Sequence, residues 1–152
     1  NDAALVGKNT EEQVVLSNLK ILLVEDNAFN QMVAVDTLES AIEGVQIDVA
    51  ENGLEAVEKV KAFETTPWDT AARKFPYDIV LMDMMMPVMD GLEATRQIRQ
   101  LSSPLKNIPI IALTANAIKE EVAKCYDAGM YDFVTKPFDT TVLLKKIAAF
   151  TN

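Results

Sequence analysis

The chain has 152 residues, about half of them apolar, with 14 basic and 23 acidic side chains and a net charge of −9. That length suits one domain, and folding would bury roughly 68–70% of the unfolded surface, enough for an unaided core. The acidity argues against direct binding to nucleic acid or to anionic membrane, and no run approaches the ~18 apolar residues of a membrane span.

Residues 1–18 mix polar side chains with Leu5, Val6, Val14, Val15 and Leu16. They read as a linker or N-terminal extension with a short helix over 11–16, and residues 19–152 read as the folded domain. The first residues lack the basic start and apolar stretch of a secretory signal. A start at Asn1 is compatible with excision from a longer protein.

Residues 20–24 form a short continuous apolar run, as expected of a strand buried on both faces. Residues 29–43 place Met32, Val35, Leu38 and Ile42 on one helical face, and Gly44 ends that helix. Residues 45–50 read as a second strand. Asn52-Gly53 turns into a helix with Val57, Val60 and Phe63 inward. A long connection over 64–76 carries Trp68, the only tryptophan, and is expected to tuck that ring against the domain. Residues 77–83 are the third strand and 91–101 a helix opened by Asp90-Gly91. A strand over 108–113, a helix over 117–128 ended by Gly129, and a strand over 131–135 follow. Asp139 is the expected N-cap of a last helix carrying Leu143, Ile147 and Phe150.

Five alternations of strand and helix predict one α/β domain, doubly wound, with a five-stranded parallel sheet and helices on both faces. Ligands of such sheets bind at the carboxyl ends of the strands. Four strand-like runs end there in polar groups: Glu25-Asp26, Asp83, Thr114-Ala115 and Lys136-Pro137. Like charges ~4 Å apart repel by about 4 kcal/mol at an effective dielectric of 20. Three acids on one rim therefore call for a proton or a cation. Hard oxygen donors with no nitrogen or sulfur partner favour Mg²⁺. A carboxylate beside a metal, a hydroxyl and an ammonium suits phosphoryl transfer onto the carboxylate.

The chain contains no histidine and one cysteine. That excludes Ser-His-Asp and Cys-His nucleophilic sites, histidine-ligated zinc and a phosphohistidine on this chain. A lone Cys125 on the 118, 122, 125 stripe reads as a small core side chain, and it fits a reducing, cytoplasmic setting.

Leu23-Val24-Glu25-Asp26-Asn27, Leu81-Met82-Asp83 with Met86-Pro87 and Met89-Asp90-Gly91, Leu113-Thr114-Ala115 and Lys136-Pro137-Phe138 occur in this order. In these motifs the chain resembles the receiver domain of two-component response regulators over residues 19–150. With Asn30-Gln31 it looks most like receivers of hybrid sensor histidine kinases. The resemblance implies a flavodoxin-like strand order 2-1-3-4-5 and Asp83 as phosphoacceptor. It implies Mg²⁺ held by Glu25 (directly or through water), Asp26, Asp83 and the Met85 carbonyl. Thr114, Ala115 and Lys136 would bind the phosphoryl group, and Thr114 and Phe133 would form the switch. Lys136-Pro137 would be cis. The donor would be a histidine kinase or a histidine phosphotransfer protein, and the domain would catalyse only its own phosphorylation and dephosphorylation. Phe133 reads equally well as core. The oligomeric state is open.

Two other functions compete for the same residues. An aspartate-nucleophile phosphatase wants a second acid two residues after the nucleophile, where this chain has Met85. A pseudo-receiver that only binds a partner has no use for the full set of acids, hydroxyl and lysine.

Overall fold

The computed structural model describes residues 15–102 and 104–151. Five parallel strands form one sheet: β1 (Lys20–Val24), β2 (Gln46–Ala50), β3 (Ile79–Asp83), β4 (Ile110–Thr114) and β5 (Asp132–Thr135). Their order is β2-β1-β3-β4-β5, as expected from the resemblance. The direction of travel across the sheet reverses between β1 and β3, where a doubly wound sheet opens its ligand crevice. The helices are α1 (Ala28–Ala41), α2 (Gly53–Lys61), α3 (Gly91–Ile98), α4 (Lys119–Ala128) and α5 (Thr140–Thr151).

Continuous apolar strands need cover on both sides, and alternate residues supply it. Ile21, Leu23, Ile79, Leu81, Ile111, Leu113 and Val134 pack with Ala34, Leu38 and Ile42 from the first helix and its end, and with Leu143 and Ile147 of α5. Leu22, Val24, Val80, Met82, Ile110 and Ala112 pack on the other side with Val57 and Val60 of α2, Ile98 of α3 and Cys125 of α4. Cys125 is thus a core side chain, and burial pushes its thiol pKa up. Burying a side chain such as Leu38 or Ile79 contributes about 1.5–3 kcal/mol.

The caps follow the sequence. Asn52 accepts from the Glu55 amide at 2.9 Å, Asp90 from Glu93 at 2.9 Å and Asp139 from Val142 at 3.2 Å. Gly129 ends α4 with φ +109°, a conformation costly for a side chain bearing Cβ. Gly44, at φ +75°, lies past the end of α1, whose C-cap is Ile42.

Three helices are shorter than expected. The first ends at Ala41 rather than 43, where Ile42 is already extended, and Met32, expected on its apolar face, is exposed. The third stops at Ile98 rather than running to 101, its last bonds tightening to three-residue turns (Gln100 N to Gln97 O and Leu101 N to Ile98 O, both 3.1 Å) beyond Arg99. Arg99 Nε donates to Gly129 O at 2.8 Å, and one terminal nitrogen donates to Lys106 O at 2.8 Å and Ile108 O at 2.7 Å. The fourth begins at Lys119 rather than 117, because Thr114 and Asn116 close a turn first. Strand ends shift by one or two residues against the expected bounds.

The helix expected over 11–16 falls mainly outside the described residues; Val15 and Leu16 are not helical. Asn18 N donates to Glu43 O at 2.8 Å, beside a parallel bridge between Ser17 and Glu43. Trp68 is tucked in, as expected. It meets Phe63 edge-on at 6.1 Å and donates its Nε1–H to Arg73 O at 3.3 Å. Arg73 in turn pairs with Asp78, next to β3. No helix among the described residues is long and apolar enough to cross a membrane.

Candidate functional site

All four polar signals fall on one rim, because β1, β3, β4 and β5 are parallel and end at Val24, Asp83, Thr114 and Thr135. Glu25 follows β1 directly and is held by its own N–H, which donates to Ala50 O at 3.0 Å. The chain then turns into α1 because Asn27 caps it, accepting from Asn30 N at 2.9 Å. Gly91 starts α3 hard against β3: its N–H donates to Met84 O at 3.1 Å, and a Cβ there would collide with the Asp83 carbonyl.

Glu25, Asp26 and Asp83 each bring a carboxylate oxygen within 4.8 Å of the others. Glu25 and Asp83 are buried, at 3% and 6% exposure, and Asp26 is exposed. Lys136 reaches both buried acids. Its Nζ lies 3.1 Å from Glu25 Oε1 and 3.5 Å from Asp83 Oδ1. The Lys136–Pro137 bond preceding Phe138 is cis.

The charges are divided unequally. Burial, then the Glu25 charge, raises Asp83 from an ordinary 3.8 to about 6, against the pull of Lys136 and the Met85 amide. Burial presses Glu25 upward too, but the Asn27 amide and Lys136 outweigh it and its pKa is lowered. Burial works against the Lys136 ammonium, yet Glu25 and Asp83 outweigh it and hold its proton more tightly than usual. One ammonium thus serves two buried acids, and of these Asp83 is the less content as an anion. Carboxylates alone, without imidazole or thiolate, fit a hard divalent cation such as Mg²⁺.

The remaining expected residues are less closely gathered. Met85 donates its N–H to Asp83 Oδ1 at 3.4 Å and points its side chain into solvent. Thr114 is buried at the end of β4, and its Oγ1 bonds Asn116 O at 2.9 Å and Asn116 N at 3.1 Å. Ala115 is exposed beside it. Phe133 is half-buried against the Met82–Cys125 side of the core, with Lys146 Nζ 4.9 Å from its ring centre. Sequence reasoning named Gln31 only as part of the Asn30-Gln31 pair and missed its contact, Nε2 donating to Glu25 O at 2.7 Å; it passed over Asn116, which holds Thr114. Only the position of Gln31 one helical turn after Asn27 hinted at its role.

Comparison with known proteins agrees with this geometry. Residues 21–148 match the family model for the response regulator receiver domain. Histidine kinase 1 of Arabidopsis thaliana is 36% identical over 170 residues, which cover 97% of this chain and 14% of that protein. The two-component response regulator ORR41 of Oryza sativa subsp. japonica is 41% identical, over 87% of this chain and 94% of its own length. Among solved structures, the receiver domain of a Pseudomonas aeruginosa PAO1 sensor histidine kinase, with magnesium in its active-site cleft, has a TM-score of 0.72 at 36% identity, covering 88% of this chain and 98% of that one. The receiver of Saccharomyces cerevisiae Ssk1, solved with the phosphotransfer protein Ypd1, also has a TM-score of 0.72, at 28% identity over 90% of this chain and 91% of that one. The chain belongs to the response regulator receiver family and is a receiver domain of the two-component phosphorelay type.

Proposed function

We propose that Asp83 accepts a phosphoryl group from a phosphohistidine partner, with Mg²⁺ held by Glu25, Asp26, Asp83 and the Met85 carbonyl. The observation that carries this reading is the buried Asp83 carboxylate, set between two other acids and one lysine at the carboxyl rim. Ionised Asp83 attacks phosphorus, the nitrogen–phosphorus bond breaks, and the leaving imidazole keeps its electron pair and takes a proton. Bound Mg²⁺ would supply positive charge to the phosphoryl oxygens and to Asp83. Lys136, already 3.5 Å from Asp83, moves its bond to the new phosphoryl oxygens. Hydrolysis of the acyl phosphate resets the site, so the chemistry acts on the domain itself.

Thr114, Ala115, Lys136 and Phe133 carry the switch in this reading. Each charge-assisted hydrogen bond contributes about 1.5–3 kcal/mol. Thr114 and Lys136 together then supply about 3–6 kcal/mol, against about 5.5 kcal/mol needed to take a population from 1:99 to 99:1. Thr114 must leave Asn116 to join in, and the space it vacates admits Phe133. The partner docks at the rim beside α1. The Asp83→Asn variant should show no phosphate adduct by intact mass after acetyl phosphate or a phosphorylated phosphotransfer protein. An adduct persisting on that variant would sink the assignment.

A further inference from the structure

The loop around Asp83 is rich in thioethers. Five of the chain's seven methionines, at 82, 84, 85, 86 and 89, lie within six residues of it. Burial sorts them sharply. Met82 and Met84 are buried, Met86 and Met89 are half-buried, and Met85 is 80% exposed. Of the other two, Met130 is buried and Met32 on α1 is 54% exposed. The two open thioethers thus lie on segments that leave the same rim of the sheet, Met85 two residues after Asp83 and Met32 in the second turn of α1.

They have apolar company. Phe29, Val33, Val88 and Ile118 are also exposed, on the segments that follow β1, β3 and β4. Phe29 and Val33 line a groove together with Glu25 and Lys136. Single exposed apolar side chains are ordinary, but six on the segments that leave one functional rim form a border that marks a surface made to be covered. Thioether oxidation follows solvent access. A sulfoxide on that border would be a polar group buried under any partner that covers it.

We infer that Met85, with Met32, is a peroxide-responsive modification site whose oxidation weakens docking of the phosphotransfer partner and spares small phosphodonors. The sulfur lone pair attacks one oxygen of hydrogen peroxide, the O–O bond breaks and water leaves. Sulfur is oxidised by two electrons as the peroxide is reduced. Covering an unpaired sulfoxide dipole should slow transfer from the partner about tenfold or more. Acetyl phosphate needs only the cleft, so its reaction should change less than about twofold.

This inference rests on the proposed function in one respect, that a phosphotransfer protein docks on this border. The 152-residue chain is treated with hydrogen peroxide and mapped by peptide mass. Phosphorylation is then timed with acetyl phosphate and with phosphorylated Ypd1 as donors. Met85 and Met32 should oxidise before the five others, transfer from Ypd1 should fall, and methionine sulfoxide reductase should restore it. A chain carrying Met85→Leu and Met32→Leu should keep its own untreated rate after peroxide. Early oxidation of the buried methionines, equal losses with both donors, or no loss would overturn the inference. If the untreated chain takes phosphate from neither donor, the proposed function itself fails. If it takes phosphate from acetyl phosphate alone, docking on the border falls, and this inference with it.

Discussion

Replacing Asp83 by asparagine should make the metal-free protein more stable. Asp83 sits near pKa 6 instead of 3.8, chiefly because of burial and secondly because of Glu25. The folded state therefore keeps a proton that the unfolded chain has already released between those two values. Stability falls as pH rises through that window and stays low above it. The gap of just over two pKa units corresponds to about 3 kcal/mol at pH 7.5, and about half of that remains at pH 5. Asp83→Asn removes the charge and keeps the shape, while Lys136 retains Glu25 at 3.1 Å. For a domain of this size 1 kcal/mol moves the melting temperature by roughly 2–4 °C. In chelator at pH 7.5 the variant should melt about 6–12 °C above the wild type, and near pH 4 the two should converge. Scanning fluorimetry across pH reads this directly. Mg²⁺ at 100 times its dissociation constant should raise the wild type by about 2.7 kcal/mol and close the gap, leaving the variant unmoved. A variant that melts at or below the wild type at pH 7.5, or a gap indifferent to pH, would refute the charge reasoning.

Other outcomes follow from the same geometry. Asp26→Asn should weaken Mg²⁺ binding by about tenfold or more, since one ionic ligand contact contributes roughly 1.5–3 kcal/mol; calorimetry is the readout, because Trp68 packs far from the cleft, before β3 begins. Beryllofluoride, a phosphoryl mimic, should shift amide resonances at Thr114, Phe133 and along α4, and shifts confined to the acids would favour a passive relay. Gly91→Ala should cost about 1–3 kcal/mol in denaturant unfolding, because its Cβ would run into the Asp83 carbonyl.

Most of the fold was legible because the strands are continuous apolar runs broken by polar ends. Val80 and Leu81 are buried on opposite sides, so nothing but a two-sided sheet suits them. The acids and Lys136 were legible for the same reason: each follows a buried run where no charge belongs. What escaped were contacts made by side chain to backbone across sequence. Arg99, at the end of α3, donates to carbonyls 7 to 30 residues away, which no helical periodicity encodes. Asn116 holds Thr114 through a turn that looked like the start of a helix. Gln31 steadies the Glu25 carbonyl from the inner side of α1, and its residue type alone says nothing of that.

The alternation of strand residues has one more consequence. Asp83 shares its side of the sheet with Ile79 and Leu81, and Lys136 counts in step with Val134, on the side packed by α1 and α5. Thr114 counts in step with Ile110 and Ala112, and Phe133 packs with them, on the side of α2, α3 and α4. In the proposed function, chemistry and readout would thus occupy opposite rooms with the sheet as the wall, connected only at its edge. A single residue inserted within β3 or β4 would leave every motif intact in the text of the sequence. It would also turn that strand's functional group into the wrong room. Connections such as 65–78 carry no such alternation and can change length freely, but the strands tolerate changes only in pairs.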